Sequence, residues 1–333
     1  MMNKRLKQGS TFLLALALAF PLLTLPGARA ANAIETDRKC SVSFSVSGEG
    51  NELTAADTDI KVNLYKVADV DVSGNYTATK DFTGLNVSSV SADDKDAAAS
   101  EWADRAKEAQ KMLKESVEPT ATVTLAKGIG SKDGLATGLY LVDTPEVVTT
   151  NYTYTFTPYL VSLPTNNYYS NGNDTWIYDL TDTNAIGLKP EEHARYGDLK
   201  INKTLANHNA TTGKKATFVF KIEITPLKGK TETRIESLDF EAAGDSSVTI
   251  TKIPAGAKVK VTEVYSGASY KLTSVNDQTA TIVATDRGST NTPASVSFTN
   301  DIDDNMNGGY GVKNNFKLDE NDQYQYTKPA AKN

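Results

Sequence analysis

Residues 199–205 read Leu199-Lys200-Ile201-Asn202-Lys203-Thr204-Leu205. Apolar and polar positions alternate, which is the pattern of a half-buried β-strand. Leu199, Ile201 and Leu205 share one parity and face a core. Lys203 shares that parity, so its side chain points inward too. Two later stretches repeat the anomaly. In Val259-Lys260-Val261-Thr262-Glu263, the inward set Val259 and Val261 includes Glu263. In Val296-Ser297-Phe298-Thr299-Asn300, the inward set Val296 and Phe298 includes Asn300.

An amine, a carboxyl and a carboxamide therefore point into one core from three strands. Each alone is costly, because burying an unpaired polar or charged group is unfavourable. Together they have a chemical use. Desolvation favours the neutral amine of Lys203 and the protonated acid of Glu263. A neutral amine is a nucleophile, and a protonated Glu263 can hydrogen-bond the Asn300 amide and pass protons during attack. The product is a Lys203–Asn300 isopeptide bond with loss of ammonia, formed once within the fold. Two plainer arrangements fit the same parity. One is a buried Lys203–Glu263 salt bridge with Asn300 as hydrogen-bond partner. The other is three frayed strand ends whose polar groups are solvated.

Outward from these strands the chain keeps the same character. Val42, Phe44 and Val46 alternate, as do Ile60, Val62 and Leu64, and later Tyr152, Tyr154 and Phe156. Gly, Asn, Asp and Ser clusters separate the runs, as turns require. One segment differs. From Ser91 to about Ser116 the chain is rich in Ala, Lys, Glu and Asp, and Trp102, Ala106, Ala109 and Leu113 recur at helical spacing. Ser91 with Asp94 resembles a capping box. The expectation is an all-β chain with one amphipathic helix inserted in its first domain, Trp102 serving as a core anchor.

The N-terminus carries Lys4, Arg5 and Lys7, an apolar run from Thr11 to about Leu25, and Ala28-Arg29-Ala30. Those three parts predict a secretory signal peptide over 1–30. The remaining chain of roughly 300 residues suits two domains. The expected boundaries are 31–195 and 196–301, with the polar stretch Gly187-Leu188-Lys189-Pro190-Glu191-Glu192 as linker and 302–333 as a tail or hairpin. The formal net charge of -6 argues against nucleic-acid binding, which needs clustered Lys and Arg. No second apolar run has spanning length, so no transmembrane segment is expected after signal removal. Cys40, the single cysteine, has no internal disulfide partner. No metal-ligand spacing or phosphate loop occurs, and no metal or cofactor is expected.

The three strands carry a family resemblance. Leu199–Leu205, the Val-x-Val-x-Glu at Val259–Glu263 and Phe298-Thr299-Asn300 resemble the lysine, glutamate and asparagine strands of collagen-adhesin B-type domains. Ile253-Pro254-Ala255-Gly256 resembles the turn that such domains place before the glutamate strand. Gly134–Val142, Pro158–Pro164 and Trp176-Ile177-Tyr178-Asp179 resemble the N-terminal domain of sortase-assembled Gram-positive pilins. The resemblance implies two immunoglobulin-like or prealbumin-like β-sandwiches. It implies an isopeptide bond between Lys203 and Asn300, promoted by Glu263. It also implies a cell-surface location and, as partners, other pilin subunits and a sortase. Lys189 is the nearest candidate for the inter-subunit linkage lysine, although its surroundings depart from the family's Tyr-Pro-Lys pattern.

Two further departures bear on function. The opening strand Ser41–Val46 holds no lysine, and Thr144 stands where a glutamate would follow Tyr140 and Val142, so no isopeptide is expected in the first domain. The chain ends Tyr326-Thr327-Lys328-Pro329-Ala330-Ala331-Lys332-Asn333 without Leu-Pro-x-Thr-Gly. Two accounts of that ending stay open: truncation, or entry into a pilus without being sorted. The leading reading is a structural pilus subunit. The alternative is an adhesin module for a host or matrix protein or glycan, with Tyr168, Tyr169 and Trp176 as candidate contacts. A secreted hydrolase finds no acid–base pair at a suggestive spacing.

Overall fold

The computed structural model describes residues 23–24, 33–46, 52–55, 58–91, 95–166, 175–181, 185–210, 215–267, 269–286, 289–303, 315–318 and 324–327. Apart from Leu23–Thr24, the signal-peptide stretch lies outside the described residues, as do Asp94, Tyr168 and Tyr169. The chain divides into two compact units, Met1–Thr149 with Thr153–His193, and Thr150–Tyr152 with Ala194–Asn333. Both are built of β-strands, and the described residues hold one α-helix.

In the first unit the main strands are β1 (Cys40–Ser45), β2 (Asp59–Val70), β3 (Ala121–Ala126), β4 (Ile129–Leu135), β5 (Gly138–Asp143) and β6 (Tyr159–Leu163). They form one sheet in the order β6-β5-β2-β3-β4-β1. The alternation read from sequence is the burial pattern observed. Ile60, Val62 and Leu64 are buried, as are Val42, Phe44 and Val46. Cys40 shares the parity of Val42 and Phe44 and is fully buried.

Helix α1 (Lys95–Met112) packs Ala98, Trp102, Ala106 and Ala109 into a cluster with Val67, Phe82, Leu139, Leu141 and Leu160. That face recurs every three to four residues, which is what an amphipathic helix on a sheet requires. The guanidinium of Arg105 lies 4.4 Å from the Trp102 ring. The helix is shorter than expected. Ser91 does not cap it, because Val90–Ser91 is a two-residue strand.

The stretch expected as an open linker is instead paired structure. Ile186–Gly187 runs parallel to β1, Leu188 is buried, and Pro190–Ala194 is a strand beside Tyr152–Phe156. Its polar composition reflects the mostly exposed strand Pro190–Ala194, whereas Ile186 and Leu188 are buried.

The second unit is a β-sandwich. Its strands are β7 (Tyr196–Leu205), β8 (Ala216–Thr225), β9 (Glu232–Phe240), β10 (Gly244–Pro254), β11 (Lys258–Tyr265), β12 (Tyr270–Leu272), β13 (Gln278–Thr281) and β14 (Ala294–Ile302). One sheet has the order β10-β7-β14-β12 and the other β9-β8-β11-β13. Strict alternation along each strand sends Leu199, Ile201, Phe218, Phe220, Ile222, Val259, Val261, Val296 and Phe298 into one core between them. The first and last strands of this sandwich, β7 and β14, lie side by side and run parallel. After it, Asn315–Leu318 pairs antiparallel with Tyr324–Thr327 as the tail hairpin.

Candidate functional site

Strand register decides which polar groups meet. The parallel β7–β14 pairing sets Lys203 beside Phe298 and Leu205 beside Asn300. Lys203 and Asn300 share the inward face, two residues apart in register, and such diagonal neighbours lie within reach of a long side chain. Glu263 arrives from the facing sheet, where β11 places it opposite Phe220 of β8.

All three side chains are enclosed. Lys203 is 1 % exposed, Glu263 5 % and Asn300 0 %. The solvated strand ends that parity alone permitted are therefore not what forms. Lys203 Nζ donates a hydrogen bond to Asn300 Oδ1. Asn300 Nδ2 donates to Glu263 Oε1 at 2.6 Å. Glu263 Oε2 forms an ion pair with Lys203 Nζ at 3.2 Å and has no other polar partner.

The walls are aromatic. Lys203 Nζ sits 4.4 Å from the centroid of Phe218, and Phe220 and Phe298 meet at a tilt of 50° with centroids 5.2 Å apart. Removal from water is the largest influence on Lys203 and holds its pKa below the ordinary lysine value. The nearby Glu263 carboxyl pulls the other way and does not overcome it. An amine in such a place loses its proton more readily than one on the surface. The carboxyl beside it has one oxygen on the amine and the other on the carboxamide nitrogen, so it can take a proton from one and give it to the other.

Sequence reading missed two kinds of residue. Phe218 and Phe220 are legible only as core positions of a run alternating through Ile222, and nothing marks them as the wall of a polar site. Asn276 had no strand signal at all. It lies in a Ser274-Val275-Asn276-Asp277 turn sequence, yet its carboxamide binds the main chain of Glu263 on both sides.

The other singled-out residues belong to the first unit. Lys189 is exposed between two short strands. Thr144 is buried. Trp176 is half-buried and pairs with Asn166 in a two-stranded ribbon.

Comparison with solved structures finds the Bacillus anthracis TIE protein at 13% identity and a TM-score of 0.30, covering 79% of this chain and 34% of that one. The fimbrial protein FimP from Actinomyces oris matches at 12% identity and a TM-score of 0.29, covering 72% of this chain and 64% of that one. A streptococcal ancillary pilin matches at 12% identity and a TM-score of 0.27, covering 80% and 69%. The chain thus spans about a third of the TIE protein and just under two thirds of FimP. No curated protein matches the chain. Residues 199–303, which run from within the lysine strand past the asparagine strand, match the family model described as a domain of unknown function, DUF5979.

Proposed function

We propose that Lys203 and Asn300 join in an intramolecular isopeptide bond promoted by Glu263, and that the chain is a structural subunit of a Gram-positive surface pilus. The observation that carries the first part is the enclosed contact of all three groups. One carboxyl spans the attacking amine and the departing nitrogen inside an aromatic cage.

The chemistry balances without a cofactor. Glu263 Oε2 takes a proton from Lys203 Nζ. The freed lone pair attacks Cγ of Asn300, forming an N–C bond and a tetrahedral centre. The Glu263 carboxyl passes the proton it has taken to Nδ2, the Cγ–Nδ2 bond breaks, and ammonia leaves. The new amide nitrogen gives up its one further proton to the departing ammonia, which leaves as ammonium, and Glu263 ends as the carboxylate it began as. Burial assists each step, since it favours the neutral amine and keeps water from competing for the carbonyl carbon. The event is a single turnover and a maturation of the fold.

The pilus role rests on this bond together with the sequence resemblance of both domains to sortase-assembled pilins. It places the mature chain outside the cell, with other pilin subunits and a sortase as partners. In that role Lys189, exposed as a linkage lysine must be, is the residue offered to the next subunit. No helix among the described residues is long and apolar enough to cross a membrane.

The test is the intact mass of the purified mature protein beside a Lys203→Ala control. A mass short of the sequence by one ammonia, restored to the full value in the control, supports the bond. A full sequence mass in folded protein removes it. Incubation with a pilin-polymerising sortase then tests the pilus role. A ladder of covalent multimers that Lys189→Ala abolishes supports it, and saturable binding of unladdered monomer to a matrix protein or glycan favours the adhesin alternative.

A further inference from the structure

The ladder between β11 and β13 stops at the pair Val261 and Gln278. Continuing that antiparallel register by two residues brings position 276 opposite Glu263. The main chain of Asn276 does not make this pair, and its side chain does. The Glu263 N–H donates to Asn276 Oδ1 at 2.8 Å, and Asn276 Nδ2 donates to the Glu263 carbonyl at 3.2 Å. On the other flank of β11, the pairing with β8 slips by one residue just beyond Glu263, between Phe220 and Val219. Glu263 therefore sits where regular pairing fails on one side and slips on the other.

The loop that presents Asn276 also grips the strand of Asn300. Thr273 and Ser274 donate their N–H groups to the Thr299 carbonyl at 2.8 and 3.3 Å. The Thr299 N–H donates to Ser274 Oγ at 3.1 Å. Two residues upstream, the Ser297 N–H donates to Gln278 Oε1 at 3.0 Å, and Gln278 Nε2 donates to the Ser297 carbonyl. Asp277 accepts from Thr262 Oγ1 at 2.6 Å, next to Glu263. Five of the six residues Thr273–Gln278 thus bind main chain or side chain at or beside Glu263 in one sheet or beside Asn300 in the other. Val275 is the exception, with its side chain 77 % exposed.

We propose that Asn276 is a positioning residue for the Lys203–Asn300 reaction: it fixes the Glu263 main chain, and through its loop it fixes the spacing between Glu263 and Asn300 across the two sheets. The inference rests on the isopeptide reading above. Its physical basis is the steep dependence of intramolecular reactions on placement, where a misplacement of about 1 Å costs on the order of a hundredfold in rate. Asn276 is itself exposed, so its removal leaves the core packing intact.

The experiment follows bond formation in the full chain made by cell-free synthesis, with samples quenched in acid at intervals and read by intact mass for loss of ammonia. Wild type, Asn276→Ala and Val275→Ala are compared. The same two loop substitutions are then placed on a Lys203→Ala background, where no bond forms, and melted. Asn276→Ala is expected to slow ammonia loss about tenfold or more, while Val275→Ala stays at the wild-type rate. On the Lys203→Ala background both are expected to melt within about 3 °C of the parent. A wild-type rate in Asn276→Ala overturns the proposal. So does equal slowing in Val275→Ala, or slowing matched by a large melting loss, since either makes the loop merely structural. Absence of ammonia loss in wild type instead overturns the underlying isopeptide reading.

Discussion

Asn300 and Glu263 meet across the two sheets of the second unit, with Asn300 Nδ2 donating to Glu263 Oε1 at 2.6 Å. The second oxygen of the same carboxyl lies 3.2 Å from Lys203 Nζ. In the proposed reaction a carboxyl so placed relays a proton from the amine to the carboxamide nitrogen, beyond serving as a counter-charge. Glu263→Gln keeps the shape and loses the titrating oxygen. The expected result is folded protein with the full sequence mass, and Glu263→Asp, whose shorter carboxyl cannot span both nitrogens, is expected to bond slowly. Intact mass spectrometry reads both.

Lys203 gives a pH signature when the bond is blocked. In Asn300→Ala the amine persists, and burial holds its pKa below the ordinary 10.5. The unfolded chain then takes up a proton on falling below about pH 10.5, while the folded chain takes one up only at lower pH. Stability is therefore expected to rise with pH through the window between the lowered folded value and 10.5, and to be flat in this contribution below it. Urea midpoints across that range check it. The double variant Lys203→Met/Asn300→Ala should lack the slope.

The proposed cross-link closes a loop of 97 residues in sequence separation. In the chain-entropy account of cross-links, a loop of that length contributes about 4–5 kcal/mol. Unbonded Glu263→Gln is accordingly expected to melt more than ~10 °C below wild type. It should also be cut by trypsin within the second unit under conditions that leave wild type whole. Differential scanning calorimetry and a timed digest measure the two effects.

Cys40 is fully buried, and burial pushes its thiol up to about 11. The thiolate is the reactive form. Native protein is expected to resist alkylation at pH 8 and to take up one equivalent of reagent once denatured. Mass spectrometry after brief labelling counts the adducts.

Trp102 is 3 % exposed and anchors α1 on the sheet of the first unit. Trp102→Ala is expected to cost about 3–5 kcal/mol, seen as a lowered denaturant midpoint for that unit, with ammonia loss in the second unit unaffected.

The three groups of the site were legible because a period of two is unforgiving. Once Leu199 and Ile201 face inward, Lys203 must follow them, and the same holds for Glu263 after Val261 and Asn300 after Phe298. The all-β class was readable for the same reason, and the buried face of the helix from its own recurrence every three to four residues. Parity does not say which inward residues from different strands touch. That depends on β7 and β14 being parallel neighbours with Lys203 offset by two from Asn300. Asn276 was invisible because it replaces a main-chain pair with a side chain, in a sequence indistinguishable from an ordinary turn. The stretch Gly187–Glu192 misled because short solvated strands have the composition of loops.

The parallel run of β7 and β14 carries one more consequence. The chain enters the sandwich at Tyr196, at one pole, and leaves it at Ile302, at the other. With Lys203 bonded to Asn300, a pull on the two ends passes along seven residues of β7, crosses, and exits two residues later. The intervening chain, which would pay out about 320–350 Å if drawn straight, never enters the line of pull. The second unit then behaves as a strut of fixed length, and its slack is stored where stretching cannot reach it.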